Sequence, residues 1–440
     1  MAATSKAGFR HVDVVEVLAW GQRVGAVAAD PQRKAYLFEY EPAWWESGVQ
    51  LAPLMMPTRP QARASTIERI FSFPALAGDT FRGLPGLLSD SLPDKFGNQL
   101  IDAWMAGHGH RPEQVTVLDR LAYMNKRAMG ALEFRPARGG LVASAAPIQM
   151  AQLVEQARLA FHGQLDEGNA TATALNQLIS VGTSAGGARP KAVLGWNPRT
   201  GELISGQFDL ADGFEHWLLK FDGVGRDETL GPSQQYGRIE YAYSRMAGLA
   251  GVRMNPCRLQ EEGGRAHFMT RRFDRNGNDK IHVQSLCALR HMDYNLSQVH
   301  AYESLFLAAR DLGLGDAELT QLFTRMAFNV AARNQDDHSK NFAFLLPRDG
   351  AWTLAPAYDV TFAMDPDNQW MKAHQMSVAG KFEGITRGDL LEVASRFSIA
   401  GTAATLDAVN SALAAWPALA DEAGVGDSEI ARIGALHARF

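Results

Sequence analysis

The chain has 440 residues, which is long enough for two or three domains with hydrophobic cores of their own. Hydrophobic residues make up 46% of it and charged residues 21%, the proportions of an ordinary globular protein. The 43 basic and 48 acidic residues give a formal net charge of -5, which argues against a stand-alone nucleic-acid-binding protein.

Two further features bear on where the protein works. Cys257 and Cys287 make neither a disulfide framework nor a CxxC metal pair, which is typical of a reducing compartment. The first residues lack the apolar segment of a secretion signal, and no uninterrupted apolar run is long enough to span a membrane. We therefore expect a cytoplasmic protein without a membrane partner.

The N-terminal third contains predicted strands followed by mixed structure. Residues 12–40 alternate between apolar and polar side chains, as strands do, with Gly21-Gln22 as a turn. Asp94 lies close to the first turn of a predicted helix. Residues 137–147 are small and glycine-rich, so we place a domain boundary there. The fold class is α+β, and the predicted domains are 1–147, 148–275 and 276–440.

A glycine-rich stretch opens the second predicted region. Residues 179–191 include Gly182, Gly186 and Gly187, and such small residues let backbone amides approach a phosphate. The stretch is neither a Walker loop nor a GxGxxG motif, so an ordinary surface loop is the alternative interpretation. It leads into a predicted hairpin that begins at Lys191.

Lys220 lies in an apolar predicted strand, residues 216–221, where an ammonium group needs a partner. In one interpretation Lys220 sits at the strand end and extends its charge to water. In the other it binds nucleotide phosphates and pairs with an acid on a nearby helix, for which Glu240 is the candidate because it begins a predicted helix at 240–249. From residue 298 onward the chain is predicted to be mostly helical, with two or three helices after Asp389.

The polar stretch 334–341 stands between a predicted amphipathic helix and an apolar strand. Asp336 and Asn341 are five residues apart, the spacing that phosphotransferases use for a proton-accepting Asp and a metal-binding Asn. A predicted hairpin over residues 342–354 leads from there to Asp359. Because a hairpin places its ends side by side, Asn341 and Asp359 should meet, and their oxygen atoms suit Mg²⁺. A solvated loop is the alternative interpretation.

The glycine-rich loop, strand lysine, helix glutamate, Asp-x₄-Asn and late Asp follow one another in the order typical of protein kinases. The same segments resemble the HipA family, the serine/threonine-kinase toxins of bacterial toxin–antitoxin modules. The matching motifs are VGTSAGGARPK at 181–191, RFDR at 272–275, DHSKNF at 337–342 and LAPAYDV at 354–360, with looser matches of FRGLP at 81–85 and LPDKFG at 92–97. The resemblance implies a protein-kinase-like bilobal fold with an N-terminal mixed α/β subdomain and a helical C-terminal lobe.

The resemblance also implies roles for single residues. Asp336 would be the catalytic base, and Asn341 and Asp359 would bind Mg²⁺. Lys220 would contact the phosphates of ATP, and the backbone of Thr270 to Arg272 would hold adenine. The full set of residues implied to bind ATP is Gly182, Ser184, Gly186, Gly187, Lys191, Lys220, Thr270, Arg271, Arg272, His338, Lys340 and Asn341.

Ser184 matches the loop serine that the family autophosphorylates, which is thought to eject the loop and switch the kinase off. Thr183 and Ser180 are near enough in the chain to be alternatives. A phosphoserine carries close to two negative charges, so it would be repelled from a site built for triphosphate. Two departures from the family pattern stand out. Asp337 replaces a frequent glycine, so we choose Asp336 as the base from the spacing, and Arg189-Pro190 replaces a more usual Gln-Glu.

The leading hypothesis is an ATP- and Mg²⁺-dependent serine/threonine kinase toxin, neutralised by a small DNA-binding antitoxin similar to HipB. Within the family, translation factors such as aminoacyl-tRNA synthetases are the known kind of protein substrate. The sequence contains no recognisable helix-turn-helix, so DNA would be contacted only through the partner. One alternative is a nucleotide-binding regulator without chemistry, acting in a repressor complex. Another is a small-molecule kinase, because antibiotic phosphotransferases share the Asp-x₄-Asn and late-Asp pattern.

Overall fold

A computed structural model describes residues 11–32, 35–59, 68–106, 109–138, 147–161, 178, 189–223 and 235–440. In its N-terminal part, five antiparallel strands form a sheet in the order β4-β3-β2-β1-β5. These strands are β1 (Val14–Ala19), β2 (Gln22–Asp30), β3 (Ala35–Tyr40), β4 (Ile70–Ser72) and β5 (Leu132–Arg135). The accompanying helices are α1 (Pro42–Ser47), α2 (Gly86–Ser89), α3 (Lys95–Ala106), α4 (Val117–Met124) and α5 (Met150–Phe161).

The strands predicted over residues 12–40 are confirmed, but their first turn lies one residue earlier than the predicted Gly21-Gln22. Trp20 and Gly21 connect β1 to β2 and both have a positive φ, 51° and 77°. Two consecutive left-handed residues are the backbone of the tight turn whose twist matches that of the strands it joins. Asp94 accepts a hydrogen bond from the amide of Gly97 at 2.7 Å, so it caps the start of α3 as its position predicted.

A second antiparallel sheet, in the described ranges five-stranded, has the order β7-β6-β8-β10-β9. Its strands are β6 (Lys191–Trp196), β7 (Leu203–Ser205), β8 (Glu215–Lys220), β9 (Cys257–Glu262) and β10 (Arg265–Arg271), and helix α6 (Tyr236–Leu249) packs on it. The sequence predicted that this helix starts at Glu240, but it begins four residues earlier, at Tyr236. Gly237 explains the error, because glycine is a poor helix former, yet here its bare backbone lies against the Ala266 carbonyl of β10.

The C-terminal part is mostly helical, with short strands between the helices. The strands are β11 (Arg275–Asn276), β12 (Asp279–Lys280), β13 (His282–Ser285), β14 (His300–Ala301), β15 (Ala343–Leu346), β16 (Thr353–Leu354) and β17 (Met376–Ser377). The helices are α7 (Leu286–Arg290), α8 (Tyr302–Asp311), α9 (Asp316–Ala331), α10 (Arg387–Arg396), α11 (Thr402–Ala414), α12 (Trp416–Glu422) and α13 (Asp427–Leu436). This distribution of sheets and helices confirms the α+β class.

The C-terminal tail contains four helices after residue 386, where two or three were predicted. The alanine-rich run 402–423 is divided in two, because Pro417 stands in the first turn of α12 and cannot continue α11. Trp416, fully buried, packs edge-on against Tyr243 of α6 at 5.2 Å between ring centroids, which joins the tail to the second sheet's helix. Along the described ranges, none of the helices combines the length and the apolar character needed to cross a membrane.

Two large apolar clusters hold the molecule together. One consists of α6 and the helices of the C-terminal part. The other joins the N-terminal sheet to the second sheet, since Val17 and Phe134 belong to the same buried cluster as Leu194 and Met269. The predicted domain boundary near residue 147 therefore lies between two sheets whose buried residues share one apolar cluster. Helix α5 contributes to the shared cluster through Leu153, Val154 and Ala157.

Candidate active site

Lys220, the last residue of β8, is joined to two carboxylates. Its ammonium is 2.5 Å from Oε1 of Glu240 on α6 and also contacts Oδ1 of Asp359, which follows β16. Burial by itself would lower the pKa of Lys220, but Asp359 and Glu240 together raise it above the ordinary value. The lysine is therefore charged at neutral pH. The partner glutamate is the one predicted from the sequence.

Lys191 lies directly opposite Lys220, because the two residues are partners in the register of β6 with β8. Opposite residues in an antiparallel pair point to the same face of the sheet, so the two cations share one side of it. Burial lowers the pKa of Lys191, while Asp359 and Asp94 oppose this effect. The pair of lysines makes this end of the sheet attractive to a polyanion.

The catalytic-loop candidate runs from residue 334 to 341 and ends in a short 3₁₀ turn, Ser339–Asn341. The Asp336 side chain is about half exposed at 49%, and its Oδ1 lies 3.7 Å from Nε2 of His338. Desolvation raises the pKa of Asp336, with Asp359 and Asp337 adding to the effect and His338 opposing it. An accessible carboxylate of raised pKa is suited to accept a proton.

Asn341 is tied to Asp336 across the loop. Its Nδ2 donates a 2.7 Å hydrogen bond to the backbone carbonyl of Asp336. That bond uses the nitrogen end of the amide and leaves Oδ1 as the atom that can meet a cation. The five-residue spacing seen in the sequence therefore has a local structural role, which is to orient the asparagine.

The predicted hairpin is confirmed, and Asn341 and Asp359 stand on either side of it in the chain. Strands β15 and β16 pair in antiparallel fashion, and the amide of Gly350 closes the turn between them by donating to the Pro347 carbonyl. Beyond the strands, the Tyr358 hydroxyl donates a 2.6 Å hydrogen bond to the carbonyl of Lys340. Asn341 and Asp359 consequently line one cleft.

Asp337, the acid next to the proposed base, faces away from solvent. Its buried carboxylate accepts hydrogen bonds from the Tyr302 hydroxyl at 2.7 Å, from Nδ1 of His374 at 2.8 Å and from the amide of Gln375 at 2.8 Å. These bonds attach the loop to α8 and to the segment before β17. The choice of Asp336 over Asp337, made from spacing alone, agrees with which carboxylate is accessible. No sequence signal connected Asp337 with His374.

Part of the backbone expected to hold adenine already forms hydrogen bonds within the protein. Thr270, Arg271 and Arg272 all line the cleft. However, the amide of Arg271 donates to the Pro256 carbonyl and that of Arg272 to the His216 carbonyl, both at 2.9 Å. These two amides therefore already have partners, and the binding of adenine by the backbone of Thr270 to Arg272 stays a prediction. The Arg272 side chain forms a bidentate ion pair instead, with Asp274.

The N-terminal part contributes to the cleft, which the sequence did not predict. Asp90 lies beside α2, accepts hydrogen bonds from the amide and hydroxyl of Ser285 at 2.7 and 2.8 Å, and is 3.9 Å from the ammonium of Lys340. Lys340 also lies over the ring of Tyr294, 5.3 Å from its centroid. Asp90 and Ser285 are 195 residues apart, so only folding brings them together.

The whole cleft encloses about 1090 Å³, including solvent at its mouth. It combines apolar walls with a few convergent charged groups, as small-molecule sites do. The lining residues are Asp90, Met129, Leu218, Lys220, Glu240, Met254, Phe268, Thr270, Arg271, Arg272, Phe273, Val283, Ser285, Tyr294, His338, Lys340, Asn341, Ala343, Tyr358 and Asp359. The predicted loop residues Ser180, Gly182, Thr183, Ser184, Gly186 and Gly187 lie outside the described residues.

Comparison with known proteins places the chain in a family. Residues 183–421, more than half of the chain, match the model of the HipA-like C-terminal domain, and residues 15–135 match the HipA N-terminal domain. No curated protein matches the chain.

Two solved structures were also compared. The first is HipA of Shewanella oneidensis MR-1, solved as a toxin–antitoxin complex with HipB and operator DNA; it has a TM-score of 0.64 at 16% identity, covering 96% of this chain and 94% of that one. The second, the Helicobacter pylori proinflammatory kinase CtkA, reaches a TM-score of only 0.31 at 12% identity, covering 51% of this chain and 90% of that one. The matches to both domain models and the fold shared with the Shewanella protein agree with each other. This chain belongs to the HipA family.

Proposed function

We propose that this protein is an ATP- and Mg²⁺-dependent serine/threonine protein kinase. The observation that supports this most is the ammonium of Lys220, held by both Glu240 and Asp359 at a cleft that Asn341 also lines. An ion pair that only stabilises the fold needs one cation and one anion, whereas Lys220 contacts carboxylates from two other parts of the chain. Protein kinases use a strand lysine, a helix glutamate and a late aspartate in these relations to bind phosphates and Mg²⁺.

The residues of the cleft suit both cofactors. Among the described residues, no group of three or more His, Cys, Asp or Glu side chains could hold a metal ion. Mg²⁺ would instead be held by Asn341 and Asp359 together with phosphate oxygens and water, a ligand set that this ion prefers. Lys220 and Lys191 would bind the phosphates. When bound, ATP supplies the phosphoryl group and Mg²⁺ neutralises the charge that develops on it.

Asp336 would act as the base. It accepts the proton of the substrate hydroxyl as the hydroxyl oxygen forms its bond to phosphorus. Its raised pKa makes it a stronger proton acceptor than an ordinary aspartate, and its half-exposed position leaves room for a protein side chain to approach. Asp337 would take no part in the chemistry and would hold the loop in place through Tyr302, His374 and Gln375.

We also propose that the kinase is the toxin of a toxin–antitoxin pair. Membership of the HipA family supports this, as does the likeness to a HipA solved with HipB and operator DNA. The antitoxin would be a small DNA-binding protein, and DNA would be reached only through it. The substrate would be a protein of the translation machinery, for example an aminoacyl-tRNA synthetase. Autophosphorylation of Ser184 would end activity by placing charge in a site for phosphate.

The decisive experiment measures phosphate incorporation from labelled ATP with Mg²⁺, with mapping of the labelled residues. The native protein should label itself at Ser184. Asp336→Ala should reduce transfer by a factor of about 10² to 10⁴, the usual contribution of a general base. Ser184→Ala should remove the label and prolong transfer to a protein substrate, because this variant cannot switch itself off.

The matched control is Asp349→Ala, which removes an exposed acid from the turn of the neighbouring hairpin and should transfer phosphate like the native protein. ATP binding with no transfer to the protein or to a cell lysate would contradict the kinase proposal and favour a nucleotide-binding regulator. Transfer to small molecules alone would favour a small-molecule kinase.

A further inference from the structure

Arg189 stands two residues before β6 and is held by an aromatic ring. Its guanidinium carbon lies 4.0 Å from the centroid of the Tyr236 ring, at the first residue of α6. Pro190 follows it and favours an extended backbone at Arg189. The chain nevertheless bends at Arg189, so its side chain is positioned by the contact with Tyr236 and not by the register of β6.

The stacked position places Arg189 close to the charged centre of the cleft. Tyr236 and Glu240 are four residues apart on α6, so they lie on the same face one helical turn apart. Glu240 in turn holds Lys220, and Lys191 lies directly opposite Lys220. Arg189 therefore stacks on a residue about one helical turn, roughly 5.4 Å of rise, from the glutamate that holds Lys220.

The charge of Arg189 also acts on the proposed base. Its positive charge is near enough to Asp336 to lower the pKa of that carboxyl, against the raising effect of desolvation. Lys220 and Asp359 mark one side of the space where a phosphoryl group would lie, and Asp336 marks the side of the attacking hydroxyl.

The guanidinium retains its capacity to bind an anion. Within the described ranges Arg189 forms no ion pair with a carboxylate, whereas Arg272 and Arg120 each have one. Stacking on Tyr236 uses the flat face of the guanidinium, while the N–H groups point outward along its edge. A guanidinium whose orientation is fixed by an aromatic ring can donate two parallel hydrogen bonds to the oxygens of one phosphate.

We propose that Arg189 is a catalytic residue that binds the transferred phosphoryl group, the terminal phosphate of a nucleoside triphosphate. The inference rests on the proposed kinase function and adds a residue to it. In the step, the substrate oxygen forms a bond to the terminal phosphorus and gives its proton to Asp336. The bond from that phosphorus to the bridging oxygen breaks, and the diphosphate leaves with the electron pair. Arg189 stabilises the negative charge on the phosphoryl oxygens throughout.

The test uses the full-length protein and compares Arg189→Gln and Arg189→Lys with the native chain. The measured quantities are kcat and KM for phosphate transfer and the dissociation constant for ADP, which lacks the terminal phosphate. Arg189→Gln should lower kcat by about tenfold to a hundredfold, the effect of losing a charge-assisted contact. Arg189→Lys should recover only part of the loss, because an ammonium cannot reproduce the fork. The affinity for ADP should stay unchanged.

The matched control is Arg258→Gln. Arg258 also stacks on an aromatic ring, with its guanidinium carbon 3.9 Å from the centroid of Trp196, but at the opposite end of β6. This variant should keep the native kcat and ADP affinity. A second pair of variants tests the stacking of Arg189 on Tyr236. Tyr236→Phe keeps the aromatic ring and should retain activity. Tyr236→Leu removes the ring and should lower kcat as Arg189→Gln does.

Each outcome separates the inference from the function on which it rests. If native protein transfers phosphate and Arg189→Gln transfers it equally fast, the role of Arg189 is refuted and the kinase proposal stands. A fall in ADP affinity equal to the fall in kcat would also refute it, because the contact would then involve another part of the nucleotide. Native protein that binds ATP but transfers nothing refutes the kinase proposal itself, and with it the catalytic role of Arg189.

Discussion

At the scale of single residues, two adjacent aspartates have opposite environments. Asp336 is half exposed, in the loop whose His338 and Asn341 line the cleft, whereas the carboxylate of Asp337 is fully buried and accepts three hydrogen bonds. A carboxylate that holds a loop cannot also approach a substrate hydroxyl. The division of roles between the two acids therefore follows from burial, because their charges and side chains are identical.

Alanine variants of the two acids should differ in stability. Asp337→Ala leaves the donors of Tyr302, His374 and Gln375 without their acceptor in a buried place, which should cost about 3 kcal/mol or more of unfolding free energy. Asp336→Ala should change that free energy by about 1 kcal/mol at most, while removing activity. Chemical denaturation of both variants measures the difference. Equal losses of stability would contradict the assignment of roles.

At the scale of elements, a close helix contact attaches the N-terminal part to the site. Gly86, the first residue of α2, lies so near α7 that an added Cβ would be 2.1 Å from the Ala288 carbonyl oxygen. Its amide donates to Nε2 of His291 at 3.0 Å. Burial lowers the pKa of His291 to about 4, so the ring is neutral at physiological pH and its nitrogen can accept this bond. The same contact brings Asp90 to Ser285 and Lys340.

Replacing this glycine should loosen the contact. Gly86→Ala should reduce the unfolding free energy by about 1–3 kcal/mol, because the methyl group overlaps backbone that cannot move aside easily. Gly248→Ala is the matched control, in a helix where an added Cβ meets nothing within 4 Å, and it should stabilise the protein by about 0.4–1 kcal/mol. Thermal unfolding of the two variants gives the comparison. A neutral Gly86→Ala would show that α2 and α7 can separate without cost.

At the scale of the whole molecule, one buried acid connects the second sheet to the N-terminal part. Asp274 accepts hydrogen bonds from Arg272 and Arg275 and from the amide of Gly130. Burial alone would raise the pKa of Asp274, but the two arginines lower it well below the ordinary 3.8. A depressed carboxyl pKa stabilises the folded state above the pKa of the unfolded chain, and this contribution disappears as the pH falls.

Asp274→Asn should therefore destabilise the protein and change its response to acid. Two buried guanidinium groups lose their counter-charge, which should cost about 3–5 kcal/mol of unfolding free energy at neutral pH. The native protein should lose stability on acidification below roughly pH 5, and the variant should lose less over the same range. Denaturation curves at several pH values test this. Asp279→Asn, at an exposed position nearby, is the control and should behave like the native chain.

The local parts of this protein can be predicted from its amino-acid sequence. The strands at 12–40, the cap at Asp94 and the hairpin after Asn341 were all predictable, because each depends on side-chain alternation or on turn residues a few positions apart. The spacing of Asp336 and Asn341 is also a local feature, because one hydrogen bond joins the side chain of Asn341 to the carbonyl of Asp336. The start of helix α6 was predicted four residues too late, because glycine at position 237 argues against a helix in the sequence. In the structure, Gly237 allows the helix to lie close against β10.

Which of these parts meet depends on the packing of the folded chain. Asp359 reaches Lys220 from 139 residues away, and Asp90 reaches Ser285 from 195. The burial of Asp337 and the stacking of Arg189 on Tyr236 likewise depend on how separate elements pack. Periodicity along a chain reports which face of an element is apolar, but it carries no information on which other element covers that face. The cleft is the product of those long-range contacts.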